Sequence, residues 1–268
     1  MTTPTEILTR INALDDVEEE PRTYLGASSI GHKCSRWLWY QFHHACREKF
    51  SPRLKRLFAR GQREEAVFVH YLRRAGMTVW ETQPNGEQFG IIDFEGHFRG
   101  HMDGVGQFPG EEPVVLEFKT YNRKRFESLI KYGVKMADPK YYAQLQVYIQ
   151  GMTFKRGLFC AVNKETDDLW LEYVEFDEQA FNLLHQKTWN ILNNENPPPP
   201  ISTNPEDFEC RHCAARDICH YNQMADRNCR SCRFGEPAPD SQWICTKGRE
   251  FGTLCELWED VTKPMPCP

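Results

Sequence analysis

Asp103 and the pair Glu117-x-Lys119 carry the residue types in this chain best suited to chemistry. They lie in Gly100-His-Met-Asp-Gly-Val-Gly and Pro113-Val-Val-Leu-Glu-Phe-Lys119, which read as two β-strands. The turn expected between them is rich in Gly and Pro (Gly104, Gly106, Pro109, Gly110, Pro113). Side chains alternate along a strand, so Glu117 and Lys119 share one face and Leu116 and Phe118 the other. The preceding strand brings Asp103 towards the same end of the sheet. Two carboxylates with an ammonium beside them make a hard-oxygen site. Such a site suits Mg²⁺ or Mn²⁺, with the lysine placed to orient a water or to stabilise charge on a phosphate. A Glu-x-Lys at a strand end is also a common solvated face, so the surrounding elements must decide.

The chain of 268 residues has room for one domain with a substantial core and an appendage. Its net charge of -5 excludes a generally basic nucleic-acid binder, but the charge is unevenly spread. Between Gly31 and Arg63 stand nine Lys or Arg residues against one acid, Glu48. A cationic strip of that density can follow a phosphate backbone or be a solvated helix face. The N-terminus lacks a basic region followed by an apolar stretch, and no run of apolar residues is long enough to span a membrane, so a cytoplasmic protein without membrane contact is expected. Eleven cysteines in that setting point to metal rather than disulfides.

The elements that must position the site follow in order. A short helix over 3–14, capped at Thr3 or Thr5, precedes an acidic link from Asp15 to Glu20. Ser28 or Ser29 is expected to cap a helix carrying Cys34, Arg36 and several aromatic residues. Leu54, Leu57, Phe58, Val67 and Leu72 at helical spacing predict a long helix from Pro52 to Ala75, with Gly61 and Glu65 one turn apart. Strands at 77–80 and 89–94 lead to the central pair. Beyond Lys119 come a basic loop and helix (121–132), and a helix opened by Pro139 in which Gln144 and Tyr148 share a face. Two strands follow (157–162 and 169–176), then a helix to about Asn193. The run Pro197–Pro200 is a stiff spacer.

Taken together, these motifs resemble the PD-(D/E)xK nucleases of the RecB type, from about Ser28 to Cys219. The nearest subgroup carries an iron–sulfur cluster and includes CRISPR-associated adaptation nucleases and the AddB subunit of bacterial helicase–nucleases. Phage exonucleases share the core. In the family's order stand Gly61 with Glu65, Gly-x-x-Asp at Asp103, Glu-x-Lys at Glu117 and Lys119, and Gln-x-x-x-Tyr at Gln144 and Tyr148. The resemblance implies that Asp103, Glu117, the carbonyl of Phe118 and Glu65 hold one or two Mg²⁺ or Mn²⁺ ions. It implies that Lys119 assists the attacking water or the phosphate, while Gln144 and Tyr148 position Lys119 or the DNA backbone. It also implies a 4Fe–4S cluster on Cys34, Cys210, Cys213 and Cys219, joining the two ends of the chain.

The chain departs from that pattern at three places. The family's first ligand is often His, whereas Glu65 stands here with Glu64 beside it; Ser35 replaces a Pro after Cys34; and the chain runs on past Cys219. Cys229-Arg-Ser-Cys232, followed by Cys245 and Cys255, reads as a structural Zn²⁺ module. Cys46, Cys160 and Cys267 are left over. The expected fold is α/β, a mixed sheet of about five strands flanked by helices, with a cysteine-rich metal-stabilised region at the C-terminal end. The expected divisions are an acidic segment at 1–26, the nuclease core at 27–196 and the cysteine-rich region at 197–268. The cluster ligands fall at 210–219 and the zinc module at 229–255. The expected activity is a metal-dependent deoxyribonuclease, an exonuclease on DNA ends or single strands, in recombination, repair or phage DNA processing with a recombination or helicase partner. The competing reading keeps the fold as a non-cleaving DNA-binding or adaptor protein.

Overall fold

The structure, a computed structural model, describes residues 2–16, 20–253 and 255–263. Part of the acidic link (17–19) and Cys267 lie outside the described residues. Helix α1 (Pro4–Asp15) starts with a capping box, Thr3 and Glu6 each satisfying the other's backbone N–H. A two-residue strand β1 (Leu25–Gly26) runs into the single turn α2 (Ala27–Ile30) and then helix α3 (Ser35–Phe42). Here the expectation is corrected. Ser28 and Ser29 lie inside α2, and the cap of α3 is Cys34 itself, whose Sγ accepts from Trp37 N at 3.4 Å. The chain breaks at Gly31 because α2 crosses α6 there. A Cβ on Gly31 would come within 2.6 Å of the Lys140 backbone, so only glycine permits the approach.

Helix α4 (Pro52–Arg74) spans the predicted stretch, capped by Ser51 and opened by Pro52. It buries Phe68, Val69 and Leu72, while Phe58 and Val67 from the expected apolar stripe stay largely exposed. Strand β2 (Thr78–Trp80) then precedes β3 (Gly90–Asp93), β4 (Phe98–His101), β5 (Gly104–Gln107) and β6 (Val114–Tyr121). Gly104 and Gly106 therefore sit in a strand rather than in the turn, which begins after Gln107. Helices α5 (Arg123–Ala137) and α6 (Pro139–Gly151) cross over to β7 (Arg156–Asn163), β8 (Leu169–Glu175) and helix α7 (Glu178–Asn193).

The central sheet has five strands in the order β2-β5-β6-β7-β8. It is mixed: β6 and β7 are parallel and joined by the two helices, and the other pairs are antiparallel. Helices cover both faces. Val114, Leu116 and Phe118 pack with Leu158 and Cys160 against Phe68, Val69 and Leu72 of α4. Val115 and Tyr121, of the other parity, pack with Leu145, Ile149 and Phe159 on the α6 side. Burial on both faces explains why β6 and β7 read as nearly continuous apolar runs. Glu117 and Lys119 interrupt this pattern on the α6 face. A second sheet, β1-β4-β3, lies beside the first. The C-terminal residues add helix α8 (Arg216–His220) and a hairpin of β9 (Gly235–Ala238) and β10 (Gln242–Cys245). Among the described residues no helix is long and apolar enough to cross a membrane.

Candidate active site

The antiparallel ladder between β5 and β6 ends at the pair Gly104–Leu116. The next N–H of β6, on Phe118, donates instead to Asp103 Oδ2 at 2.6 Å. One carboxylate thus takes the place of a ladder rung and is locked against the strand that carries the other. Lys119 reaches back along its own strand, donating to Phe118 O at 2.9 Å and pairing with Glu117 Oε1. Its Nζ also lies 3.9 Å from Asp103 Oδ2 and 4.9 Å from the centre of the Tyr141 ring. Asp103, Glu117 and Lys119, expected at one end of the sheet, are brought together there.

Glu117 is fully buried. Burial pushes its carboxyl up to about 8; the Lys119 ammonium opposes this and Asp103 adds to it. Burial works against the Lys119 ammonium, but Glu117 and then Asp103 outweigh it, and the lysine is held above its ordinary value. The lysine is therefore the fixed charge of the pair, and Glu117 is the member whose ionisation needs further support. Glu65 projects from α4 towards the same point. Burial, followed by repulsion from Asp103, raises its carboxyl to about 7, with Lys119 pulling the other way. Glu64, its neighbour, instead faces Arg60 at 3.9 Å on the helix surface. Glu65 is thus the better placed of the two.

Gln144 and Tyr148 stand behind Glu117. Gln144 Nε2 donates to Glu117 Oε2 and to the Tyr148 hydroxyl, each at 3.2 Å. Gln144 is 5 % exposed and Tyr148 1 %, so neither reaches a DNA backbone, and the contact of Gln144 is with Glu117 rather than Lys119. Tyr141, which the sequence reading passed over, lies three residues before Gln144 on the same helix. The spacing 141, 144, 148 is that of one helix face, and this signal was available. Beyond it Asp138 accepts from Tyr121 at 2.9 Å and pairs with Arg125, forming a second polar cluster at the end of β6.

A divalent cation fits this donor set. Four oxygen sources, from Asp103, Glu117, Glu65 and the Phe118 carbonyl, are hard ligands of the kind Mg²⁺ and Mn²⁺ prefer. Glu117 Oε1 is buried and, although it faces Lys119, makes no well-directed hydrogen bond. An added cation would satisfy it and hold Glu117 ionised.

The cysteines fall into two places. Lys33 pairs with Glu209 at 2.8 Å, and Arg36 Nη1 donates to Cys219 Sγ at 3.6 Å, tying the start of α3 to the segment around α8. Cys34, Cys213 and Cys219 lie near enough to Cys210 for their charges to raise its thiol pKa after burial has done so, and Cys34, Cys219 and Cys210 act in the same way on Cys213. Cys229, Cys232, Cys245 and Cys255 line a separate small cavity. Among the described residues no three His, Cys, Asp or Glu side chains already stand in metal-holding geometry. Cys160 is a buried core residue of β7.

The cationic strip is divided. Lys33 and Arg36 face the C-terminal segment; Arg56 pairs with Asp15 at 2.5 Å, and Arg60 donates to Lys164 O at 3.1 Å. Arg53 and Arg63 are exposed on α4.

Residues 32–220 match the family described as the PD-(D/E)XK nuclease superfamily. Among solved structures, the chain is similar to an alkaline exonuclease (LHK-Exo) from Laribacter hongkongensis. The identity is 16 %, covering 69 % of this chain and 90 % of that one, with a TM-score of 0.47. The same exonuclease in complex with dAMP gives a TM-score of 0.48 at the same identity and coverage. A third structure, of SSO0001, is 16 % identical over 80 % of this chain and 96 % of the other, with a TM-score of 0.44. No curated protein matches by sequence.

Proposed function

The chain belongs to the PD-(D/E)XK nuclease superfamily, and on that premise we propose that it is a divalent-metal-dependent deoxyribonuclease. It would act as an exonuclease on DNA ends or single strands, in recombination, repair or phage DNA processing. The observation that carries this reading is the convergence of Asp103, Glu117 and Lys119, with Glu65 facing them from α4. A catalytically idle copy of the fold has no need of a buried carboxylate whose burial is so unfavourable.

In this reading Glu65, Asp103, Glu117 and the Phe118 carbonyl hold one or two Mg²⁺ or Mn²⁺ ions. When bound, such an ion supplies Lewis-acid polarisation of the scissile phosphate and eases deprotonation of the attacking water. Lys119, its ammonium fixed by Glu117 and by Phe118 O, is placed to meet charge developing on the phosphate. Gln144 orients Glu117, and Tyr148 receives the second hydrogen of the Gln144 amide. Gln144→Ala is expected to cut divalent-ion affinity or turnover about 10- to 100-fold, as loss of a group orienting a metal ligand generally does. Isothermal titration with Mn²⁺ beside a cleavage assay reads both quantities.

Gly61 supports a path for DNA along α4. It sits one turn before Glu65, and a Cβ built there meets nothing within 4 Å. Packing therefore does not require glycine, although a mid-helix glycine costs about 0.5–1 kcal/mol relative to alanine. Open space beside the site is what its conservation of room would serve. Gly61→Ala is expected to stabilise the protein by about that amount, whereas Gly61→Trp should raise KM for DNA and leave folding intact. Arg53 and Arg63 on the same helix would meet phosphates nearby.

Cys34, Cys210, Cys213 and Cys219 are proposed to hold a 4Fe–4S cluster, as in the iron–sulfur subgroup of RecB-type nucleases. Their mutual influence and the Lys33–Glu209 contact support this. Cys229, Cys232, Cys245 and Cys255 fall outside that pattern and would form a separate Zn²⁺ centre. The test of the whole reading is cleavage of end-labelled single- and double-stranded DNA with and without Mn²⁺. Metal-dependent release of nucleotides from ends is expected; tight binding without cleavage would favour the non-cleaving adaptor.

A further inference from the structure

We propose that Cys229, Cys232, Cys245 and Cys255 bind one Zn²⁺, and that this ion fixes a clasp which the C-terminal module closes over the strand leading to Asp103. The four sulfurs reach one place from three separate pieces of chain. Cys229 and Cys232 form a tight turn closed by Gly235 N donating to Cys232 O at 2.9 Å. A Cβ on Gly235 would lie 2.1 Å from Cys229 O, so the turn admits only glycine. Strand β10 pairs with β9 so that Cys245 stands directly opposite Gly235. After Cys245 the turn is repeated: Gly248 N donates to Cys245 O at 2.9 Å, with Gly248 at φ +68. Cys255 is brought in by Arg227, whose Nη2 donates to Cys255 O at 2.7 Å.

All four line a cavity of about 20 Å³. That holds a body the size of one water molecule, which suits a single ion and is too small for an eight-atom iron–sulfur cube. Gly252 N donates to Cys229 Sγ at 3.3 Å, a bond that favours a thiolate there. Each cysteine has only χ1 to turn to bring its sulfur inward. Four thiolates around one d¹⁰ ion in a short, loop-rich segment form a closed structural site.

The purpose of the site is visible in the residue between its first two ligands. Arg230 is 5 % exposed and projects into the core, donating to Phe42 O at 2.6 Å. Its guanidinium lies between the rings of Phe42 (5.0 Å) and Trp243 (4.3 Å). Its Nε and Nη1 find no acceptor among the described residues. A buried cation without a carboxylate is costly, and a tetrathiolate Zn²⁺ centre, net anionic, one residue away supplies the compensating field. Chelation of Cys229 and Cys232 also fixes the turn that drives Arg230 inward. At the far end of the hairpin Ser241 N donates to Glu95 O at 2.8 Å, Ser241 Oγ to Gly96 O at 2.9 Å, and His97 Nε2 meets Ala238 O at 2.7 Å. Those contacts grip the turn that opens β4, two residues upstream of Asp103.

The test uses the full chain, purified anaerobically, and reads metal rather than cleavage, so it stands apart from the nuclease reading. Mass-spectrometric metal analysis should find about one zinc per chain. Cys245→Ser and Cys255→Ser should remove it, and Cys46→Ser and Cys160→Ser should not. Replacement by Co²⁺ should give thiolate-to-cobalt charge transfer and the strong visible bands of a tetrahedral site. If the cysteine variants fail to fold, organomercurial titration of the wild-type protein should release one zinc as its thiols react. Arg230→Met, with the ligands intact, should keep the zinc while making the hairpin more accessible to protease. Zinc retained in both ligand variants, a cobalt spectrum without thiolate bands, or iron lost on Cys245→Ser would each overturn the proposal.

Discussion

Glu117→Gln is expected to abolish DNA cleavage, lowering turnover roughly 100-fold or more, while the protein melts no earlier than the wild type. The geometry makes this substitution unusually clean. Gln144 Nε2 donates to Glu117 Oε2, and an amide oxygen at residue 117 can accept the same bond. The new amide hydrogens would face Gln144 Oε1, which has no partner. The cost of burying a carboxylate, expressed in the rise of the Glu117 carboxyl to about 8, disappears with the charge. What is lost is one anionic ligand and the anchor of the Lys119 ammonium. Asp103→Asn should behave alike in rate but cost more in stability, because Oδ2 replaces a rung of the β5–β6 ladder. Cleavage of labelled DNA under saturating Mn²⁺, with thermal melts in parallel, checks both. Near-normal turnover would place the chemistry elsewhere; a collapsed melting point would make Glu117 a structural residue only.

The parts of this site that the sequence disclosed are those that obey a short period. Glu117 and Lys119 share a face because β6 alternates, and Gln144 and Tyr148 share one because α6 turns once in about four residues. Depth was harder to read. A polar pair on a helix looks like surface, yet Gln144 and Tyr148 are buried because Glu117 lies opposite them and must be hydrogen-bonded. Glycines misled in the other direction. Gly104 and Gly106 suggested a turn, but they form β5, where a Cβ on Gly106 would press against Met77 and Leu116. The parallel pairing of β6 with β7 through two helices, and the cation–π contact of Lys119 with Tyr141, are long-range consequences of packing that no local pattern encodes. Cys34 illustrates the limit well: its neighbours read as helix, and it proves to be the cap, its sulfur pointing at the first turn and accepting from Trp37 N.

That position bears on the second large effect. Cys34→Ser is expected to strip iron and colour from anaerobically purified protein and to leave the zinc in place, if the thiols of Cys34, Cys210, Cys213 and Cys219 hold the proposed cluster. Serine can still accept from Trp37 N, so α3 keeps its cap and the change isolates the metal. The consequence for stability follows from chain length. Joining residue 34 to residue 210 closes a loop of well over a hundred residues, and a cross-link of that span removes about 5 kcal/mol of unfolded-chain entropy in the ideal case. The remaining ties between the ends are modest. The Lys33–Glu209 pair is solvent-exposed and worth at most about 1 kcal/mol, and the Arg36–Cys219 contact loses its purpose once the sulfurs are uncharged. Chemical denaturation should therefore show a markedly lower midpoint in Cys34→Ser, and protease should release the segment after Pro200 before it attacks the central sheet. Lys33→Ala gives the comparison, since it breaks the exposed pair while sparing the thiols and should change the midpoint little. A Cys34→Ser protein that keeps its iron would put the cluster wholly within the C-terminal cysteines and separate the two ends of the chain.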